Sequence, residues 1–226
     1  MQIILGKGQV ANAISELLKD DVVMYDKGEW ENKHLESDVV NICFPYSDEF
    51  KNLLEKATEK GKFVVIHSTV KPDLDMRNVD LLYSPVTGRH DDDFASDIKN
   101  RVKFFAGDRY VYEKNKHYFD LETEYWGENK NELAYAKVMS TNYMYWNLVY
   151  EKALYNECQK HGYDHNKVYK RWNRMYNKGQ EWLHPEWKRS IYDHVEDKKA
   201  GGHCLPANIH LVDNEITKIL KEWESV

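Results

Sequence analysis

The chain has 226 residues and a net charge of −6 at neutral pH. This length is enough for one large domain or two small ones around a buried core, and the acidic balance argues against nucleic acid as the main partner. No apolar run reaches membrane-spanning length, so no membrane partner is expected. Three widely spaced cysteines do not form a disulfide framework. Together with an N-terminus where no secretory signal is expected, they favour the cytoplasm.

The first 26 residues predict a strand, a glycine turn, a helix and a second strand that ends on an acid. Residues 2–5 are apolar, and Gly6 and Gly8 follow at once. Residues 9–18 place apolar side chains at helical spacing, and the apolar run 22–25 is followed by an aspartate. This order is typical of the first strand–helix–strand unit of a dinucleotide-binding domain.

The chemistry of that unit predicts NAD as the ligand. Gly6 permits a tight turn, and Gly8 lets a pyrophosphate approach the backbone. The helix N-terminus, with Gln9 and Val10, supplies N–H groups and a positive dipole. Asp26 lies about 20 residues past Gly6, where an acid binds a ribose 2′-hydroxyl and repels the 2′-phosphate of NADP. The alternative is a tight turn without a ligand.

The rest of the first half predicts an α/β fold. Apolar runs predict further strands at 38–45, 63–69, 81–85 and, as the last of this half, 102–107. With a helix predicted at 48–60, the alternation indicates a doubly wound parallel sheet of the Rossmann type. Ligands bind outside the carboxyl ends of such strands. Phe44, Pro45, Ser68 and Thr69 at those ends are therefore candidate cofactor contacts.

The second half is predicted to be helical, with domains at 1–128 and 129–226. Residues 132–161 contain no Gly or Pro and predict one long helix that ends at Gly162. Shorter helices are predicted at 166–176, 184–195 and 213–223. The Tyr and Trp content exceeds what a short helical region can bury alone, which predicts a homodimer.

The segment 201–206, Gly-Gly-His-Cys-Leu-Pro, carries a second chemical signal. Cys204 is a nucleophile if cationic or helix-end neighbours lower the pKa of its thiol. A structural free cysteine is the alternative. No second pair of Cys or His completes a zinc site, and the acidic run 91–93 lacks the ligand spacing of a calcium loop, so no metal is expected.

These motifs, in this order, resemble those of the UDP-glucose/GDP-mannose dehydrogenase family of nucleotide-sugar dehydrogenases. Segment 201–206 is similar to the family's active-site cysteine segment, and 68–72 to its Ser-Thr-Val turn. Residues 84–85 resemble the start of its Ser-Pro-Glu segment, and 104–107 the strand that follows. The helix from Glu132 resembles its lysine-bearing central helix.

The resemblance implies an NAD-dependent oxidoreductase that oxidises the primary alcohol of a small-molecule substrate, a nucleotide sugar, twice to the carboxylate. It implies that Lys137 assists the first hydride transfer and that Thr69 orients water or the oxyanion. Cys204 is the implied nucleophile, which carries the aldehyde as a thiohemiacetal and then as a thioester. Asn208 and Asn142 lie at or beside two further family positions. From its sequence context alone, Lys137 also fits a surface lysine.

The sequence departs from the family pattern at several positions. Val86 stands for a glutamate, Asn208 for an aspartate, Ala207 for a lysine and Thr141 for an asparagine. The implied fold is a Rossmann domain followed by a helical domain of the 6-phosphogluconate dehydrogenase type, without the family's C-terminal UDP-binding domain. The departures leave three readings: a dehydrogenase of a sugar or hydroxy acid, a catalytically impaired NAD-binding or regulatory module, and a subunit completed by another chain.

Overall fold

The computed structural model describes residues 1–88, 93–195 and 204–223. Its contacts divide the chain into two compact units, Met1–Lys137 and Val138–Val226. The first unit therefore includes the opening turns of a long helix that begins at Lys130. No helix in the described ranges is long and apolar enough to cross a membrane.

The described part of the first unit contains one seven-stranded sheet, in the order β2-β1-β3-β4-β5-β6-β7. Its strands are Gln2–Leu5 (β1), Val22–Tyr25 (β2), Ser37–Ile42 (β3), Gly61–Ile66 (β4), Leu81–Tyr83 (β5), Lys103–Ala106 (β6) and Thr123–Gly127 (β7). All neighbouring pairs are parallel except β5 and β6. This confirms the predicted α/β fold with a doubly wound, mostly parallel sheet.

Helices cover both faces of this sheet because each central strand has apolar side chains on both sides. The helices before the long one are Gln9–Leu17 (α1), Phe50–Thr58 (α2), Phe94–Lys99 (α3) and Arg109–Asn115 (α4). In β1, Ile3 and Leu5 belong to a core with α2, whereas Ile4 belongs to a second core with α1, α3 and α4. The start of the long helix adds Leu133 and Ala134 to the first core.

Three features of this unit differ from the sequence prediction. Strand β6 is antiparallel to β5, because the connection through α3 returns the chain to the carboxyl end of β5. A further strand, β7, follows β6, so 102–107 is not the last strand. It was missed because Thr123–Gly127 alternates half-buried and exposed residues instead of forming an apolar run. Helices α3 and α4 were missed because they have only six and seven residues.

The second unit is helical, as predicted. The long helix α5 (Lys130–His161) ends before Gly162, whose φ of +67° favours glycine. After a π-helical turn at Asn166–Arg171, the helices are Trp172–Gln180 (α6), Cys204–Asn208 (α7) and Glu215–Glu222 (α8). Helix α8 begins with a capping box between Asn214 and Thr217.

The helix predicted at 184–195 is wrong. Only Pro185–Trp187 forms a short 3₁₀ turn, and the rest of the segment is irregular. Beyond this turn, its backbone bonds to the side chain of Asn177 on α6: the Arg189 N–H donates to Asn177 Oδ1 at 2.8 Å, and Asn177 Nδ2 donates to the Arg189 carbonyl at 2.8 Å. These long-range bonds replace the helical hydrogen bonds that the sequence pattern predicted for this segment.

Candidate functional site

The two glycines of the first turn have different structural roles. Gly6 has a φ of +116°, and a Cβ built on it would lie 3.1 Å from the backbone of Cys43 and Phe44. Gly8 is the N-cap of α1 with an ordinary φ of −81°, and a Cβ there would meet no protein atom within 4 Å. The fold therefore requires glycine at position 6. It does not require glycine at position 8, where the absence of a side chain keeps the helix N-terminus accessible.

The N-terminus of α1 suits an anion. The first turn, which begins with Gln9 and Val10, carries no acidic residue, and the N-cap supplies no side-chain hydrogen bond. The N–H groups and dipole of a helix N-terminus favour a phosphate. Ala11 is fully buried, so a small residue there allows α1 to pack closely on the sheet.

The end of β2 carries two carboxylates. Asp26 is exposed, and its Oδ1 accepts a hydrogen bond from the Lys27 N–H at 2.8 Å. Glu29 Oε2 accepts from Lys7 Nζ and from the Asp26 N–H, both at 2.7 Å, and these bonds lower the pKa of Glu29. Glu29 is a further candidate that no sequence motif singled out. The turn at Gly28 in the segment Asp-Lys-Gly-Glu is the signal that brings it back towards Asp26.

The ends of β3 and β4 lie beside this turn. Ser68 Oγ donates a hydrogen bond of 2.6 Å to the carbonyl of Phe44, the residue whose backbone nearly touches Gly6. Pro45 is exposed and Thr69 is half-buried. The structure therefore joins Gly6, Phe44 and Ser68, three of the predicted cofactor contacts, at one edge of the sheet.

A buried polar network lies behind these strand ends. Lys103 Nζ donates a 2.7 Å hydrogen bond to the Ser84 carbonyl, and His67 Nδ1 lies 3.1 Å from the same oxygen. The other ring nitrogen of His67 lies 3.0 Å from Asn41 Oδ1. Burial lowers the pKa of Lys103 to about 7, a direction that the charge of Lys137 reinforces. Burial also lowers the pKa of His67 well below its usual value.

This network was not predicted from the sequence. Its signal was present, since an ionisable side chain stands in each of the apolar runs 63–69 and 102–107, namely His67 and Lys103. Nothing local shows that these two side chains meet at one carbonyl.

The helical unit joins two positions at which the sequence departs from the family pattern. Asn208 Nδ2 donates to Thr141 Oγ1 at 3.2 Å, and Thr141 lies one helical turn after Lys137 on α5. Asn142 is fully buried, and its Oδ1 has no hydrogen-bond partner in the described ranges. Val86, which the sequence resemblance aligns with a glutamate, is buried in the second sheet core.

Of the three cysteines, Cys43 and Cys158 are buried, and burial raises the pKa of the Cys43 thiol. Cys204 is the first residue of α7, but its side chain, together with Gly201–His203, lies outside the described residues. The same holds for Asp91 and Asp92 of the acidic run. These predictions therefore remain predictions.

A second buried ionisable cluster lies in the helical unit. The Glu151 carboxylate lies 3.2 Å from both His165 Nε2 and His194 Nδ1, and His194 stacks on Tyr155 at 3.6 Å between ring centroids. Burial lowers the pKa of His165 although Glu151 opposes this shift. Among the described residues, no group of three or more His, Cys, Asp or Glu side chains is arranged so that it could hold a metal ion. The cluster therefore fastens the segment around His194 to α5.

Known proteins share this fold at low sequence identity. No protein-family model and no curated protein matches the sequence. The 3-hydroxyisobutyrate dehydrogenase of Mycobacterium tuberculosis is 12% identical, with a TM-score of 0.64 over 99% of this chain and 92% of its own. The UDP-N-acetyl-mannosamine dehydrogenase of Staphylococcus aureus is 15% identical, with a TM-score of 0.64 over 99% of this chain and 67% of its own.

An imine reductase from Myxococcus stipitatus, solved in complex with NADP+, is 13% identical, with a TM-score of 0.61 over 80% of this chain and 72% of its own. At these identities the likeness establishes a common fold.

Proposed function

We propose that this chain is an NAD-dependent oxidoreductase that binds the dinucleotide at the carboxyl edge of its sheet. The observation that carries the proposal is Gly8: the fold does not require a glycine there, and a side chain would stand at the uncapped N-terminus of α1. The likeness to two dehydrogenases and to a reductase in complex with NADP+ supports the same class.

The residues at this edge fit the parts of NAD. The N–H groups from Gly8 to Val10 suit the pyrophosphate, and Asp26 suits a ribose hydroxyl. Phe44, Pro45, Ser68 and Thr69 are proposed as further contacts. When bound, NAD accepts a hydride from the substrate carbon.

We expect NAD to bind at least tenfold more tightly than NADP, since a 2′-phosphate would approach the carboxylates of Asp26 and Glu29. Titration calorimetry with both cofactors measures the ratio. Asp26→Asn should narrow it, whereas the matched change Asp21→Asn, an exposed residue before the start of β2, should leave it unchanged. Equal or tighter NADP binding by the unaltered protein would show that Asp26 is not a ribose ligand.

For the substrate, we propose a sugar alcohol carried on a nucleotide. Lys137 and Thr69 assist removal of the hydroxyl proton as the hydride leaves the carbon. The Cys204 thiolate then adds to the aldehyde carbon to give a thiohemiacetal, and this adduct would give its hydride to a second NAD, which leaves a thioester. Water hydrolyses the thioester to a carboxylate and regenerates the thiol.

The hydrolysis of the thioester lacks a carboxylate general base at the two positions where the resemblance would place one. Val86 is buried among apolar side chains and cannot accept a proton, and Asn208 is an amide bonded to Thr141. Without a carboxylate to activate water at these positions, the thioester should hydrolyse slowly.

We therefore expect substrate to give a burst of NADH followed by slow turnover, with an acyl adduct on Cys204 detectable by mass spectrometry. Iodoacetamide should alkylate Cys204 faster than Cys43 and Cys158, which are buried and serve as internal controls. Unselective alkylation, together with unchanged NADH production by Cys204→Ala, would show that Cys204 is structural.

A catalytically impaired NAD-binding module is the second candidate, and the burial of Val86 favours it. It predicts NAD binding with no NADH production from any nucleotide sugar. A subunit completed by another chain, a homodimer and a cytoplasmic location also stay predictions.

A further inference from the structure

The helical unit presents an exposed apolar stripe along α6. Four large side chains form it, and we call them the α6 stripe: Trp172, Met175, Trp182 and Leu183. Their exposed fractions are 69%, 62%, 90% and 74%. The largest single-residue exposure in the stripe is that of a tryptophan, a residue type that is highly buried on average.

Helix geometry places these four side chains on one side. The His184 N–H donates to the Gln180 carbonyl at 3.0 Å, so one more helical turn follows α6. Spacings of three, seven and eleven residues then align Met175, Gly179 and Leu183 with Trp172, with Trp182 at the edge of the stripe.

One side of α6 already packs against the segment that follows this helix. Arg189 bonds to Asn173 Oδ1 at 3.1 Å, and its guanidinium lies 3.8 Å from the ring centroid of Tyr176. Asn173 is buried. The segment that follows α6 thus packs beside the stripe, on the side of Asn173 and Tyr176, and leaves the four side chains of the stripe exposed.

Basic side chains flank the stripe. The segment 166–189 contains seven Lys or Arg and two Glu, in a chain of net charge −6. Arg171, Arg174 and Lys178 are exposed on the side of α6 next to Met175 and Trp182. Within the described ranges none of these three forms an ion pair, in contrast to Lys170, which pairs with Asp193 at 2.7 Å.

We propose that the α6 stripe docks on the surface of an anionic lipid bilayer. Tryptophan prefers the membrane–water interface, and lysine and arginine attract anionic headgroups while their stems lie along apolar surface. An exposed apolar stripe with a basic flank is the pattern of a helix that lies in the interface. The contact is peripheral, and it departs from the sequence expectation of no membrane partner.

The positive charge beside the α6 stripe favours a lipid bilayer over a second copy of the chain as the partner of this surface. In a two-fold dimer through this face the same patch would meet itself, and with antiparallel α6 helices the basic flank of one copy would lie beside the basic flank of the other. Like charges oppose such a contact, whereas they favour an anionic surface.

The test is co-sedimentation of the full chain with vesicles of phosphatidylcholine alone and of phosphatidylcholine with phosphatidylglycerol. We expect binding to the anionic vesicles only, a blue shift of tryptophan fluorescence, and weaker binding as salt screens the charges. The proposal does not rest on the oxidoreductase function, and NAD titration of the same samples reports on that function separately.

Two variants test the α6 stripe and its basic flank separately. Trp182→Ser with Leu183→Ser removes exposed apolar area, and Arg171→Gln with Arg174→Gln and Lys178→Gln removes the basic flank. Each should weaken vesicle binding at least tenfold, because both components contribute to interfacial binding. The controls are Tyr110→Ser, an exposed aromatic in the first unit, and a matched charge change in that unit. The charge control combines Lys19→Gln, Lys51→Gln and Lys56→Gln.

Three results would overturn the proposal: no binding to anionic vesicles, equal binding to neutral vesicles, or binding that the stripe variants leave unchanged. If the unaltered chain self-associates without binding vesicles and the Trp182/Leu183 variant is monomeric by light scattering, the stripe is an interface between copies. Binding of an acidic protein in place of lipid would also overturn it.

Discussion

Replacing Gly8 with valine should abolish NAD binding and leave the protein folded, whereas replacing Gly6 with alanine should destabilise the fold itself. The extended backbone at Gly8, with φ −81°, accepts valine, and a Cβ there meets no protein atom within 4 Å. The valine would instead stand where the pyrophosphate approaches α1. Loss of the phosphate contacts and of the helix-end field should cost about 3 kcal/mol or more, a hundredfold in affinity.

Gly6→Ala is the matched control because it changes the same turn by a smaller side chain. A φ of +116° and a Cβ at 3.1 Å from the Cys43 and Phe44 backbone are both unfavourable. We expect a loss of roughly 2–4 kcal/mol in the free energy of unfolding. Thermal melts measure stability, and calorimetry measures NAD affinity on whatever remains folded. A Gly8→Val protein that is folded and binds NAD normally would remove the main support for the cofactor site.

The second large effect should come from the buried lysine behind the strand ends. Lys103 is 2% exposed, and burial lowers its pKa from 10.5 to about 7. As pH falls from about 10.5, the unfolded chain gains a proton at this side chain and the folded chain does not, so stability falls until about pH 7. Below that pH both states carry the proton, and this contribution stays constant.

Compared with Lys103→Met, the unaltered protein should gain up to about 4 kcal/mol of unfolding free energy between about pH 7 and pH 10. The comparison cancels the other groups that titrate in this range, including Cys43, whose thiol pKa burial raises. Urea unfolding of both proteins at several pH values measures the difference. As a control, the same comparison is made with Lys19→Met, at an exposed position. The unaltered protein should gain no unfolding free energy relative to that variant between about pH 7 and pH 10. A constant difference between the unaltered protein and Lys103→Met would mean that Lys103 titrates normally in the folded state.

The sequence by itself determined the elements whose signals are local. Alternating strands and helices, with glycine at position 6, predicted the first unit of the sheet, because strand and helix periodicity and turn chemistry act within a few residues. The same reasoning placed α5 and its end at Gly162. It also identified Gly8 as a candidate cofactor contact. Only the structure showed that the space around a side chain at this position is open.

Only the tertiary structure decided which distant residues meet. Lys103 and His67 share the Ser84 carbonyl, and Asn208 reaches Thr141 across 67 positions of sequence. The direction of β6 and the irregular backbone around Arg189 likewise depend on partners far along the chain. A buried pKa shift or a side-chain cap arises from such long-range contacts and from the removal of water around them, which no local pattern of residue types records.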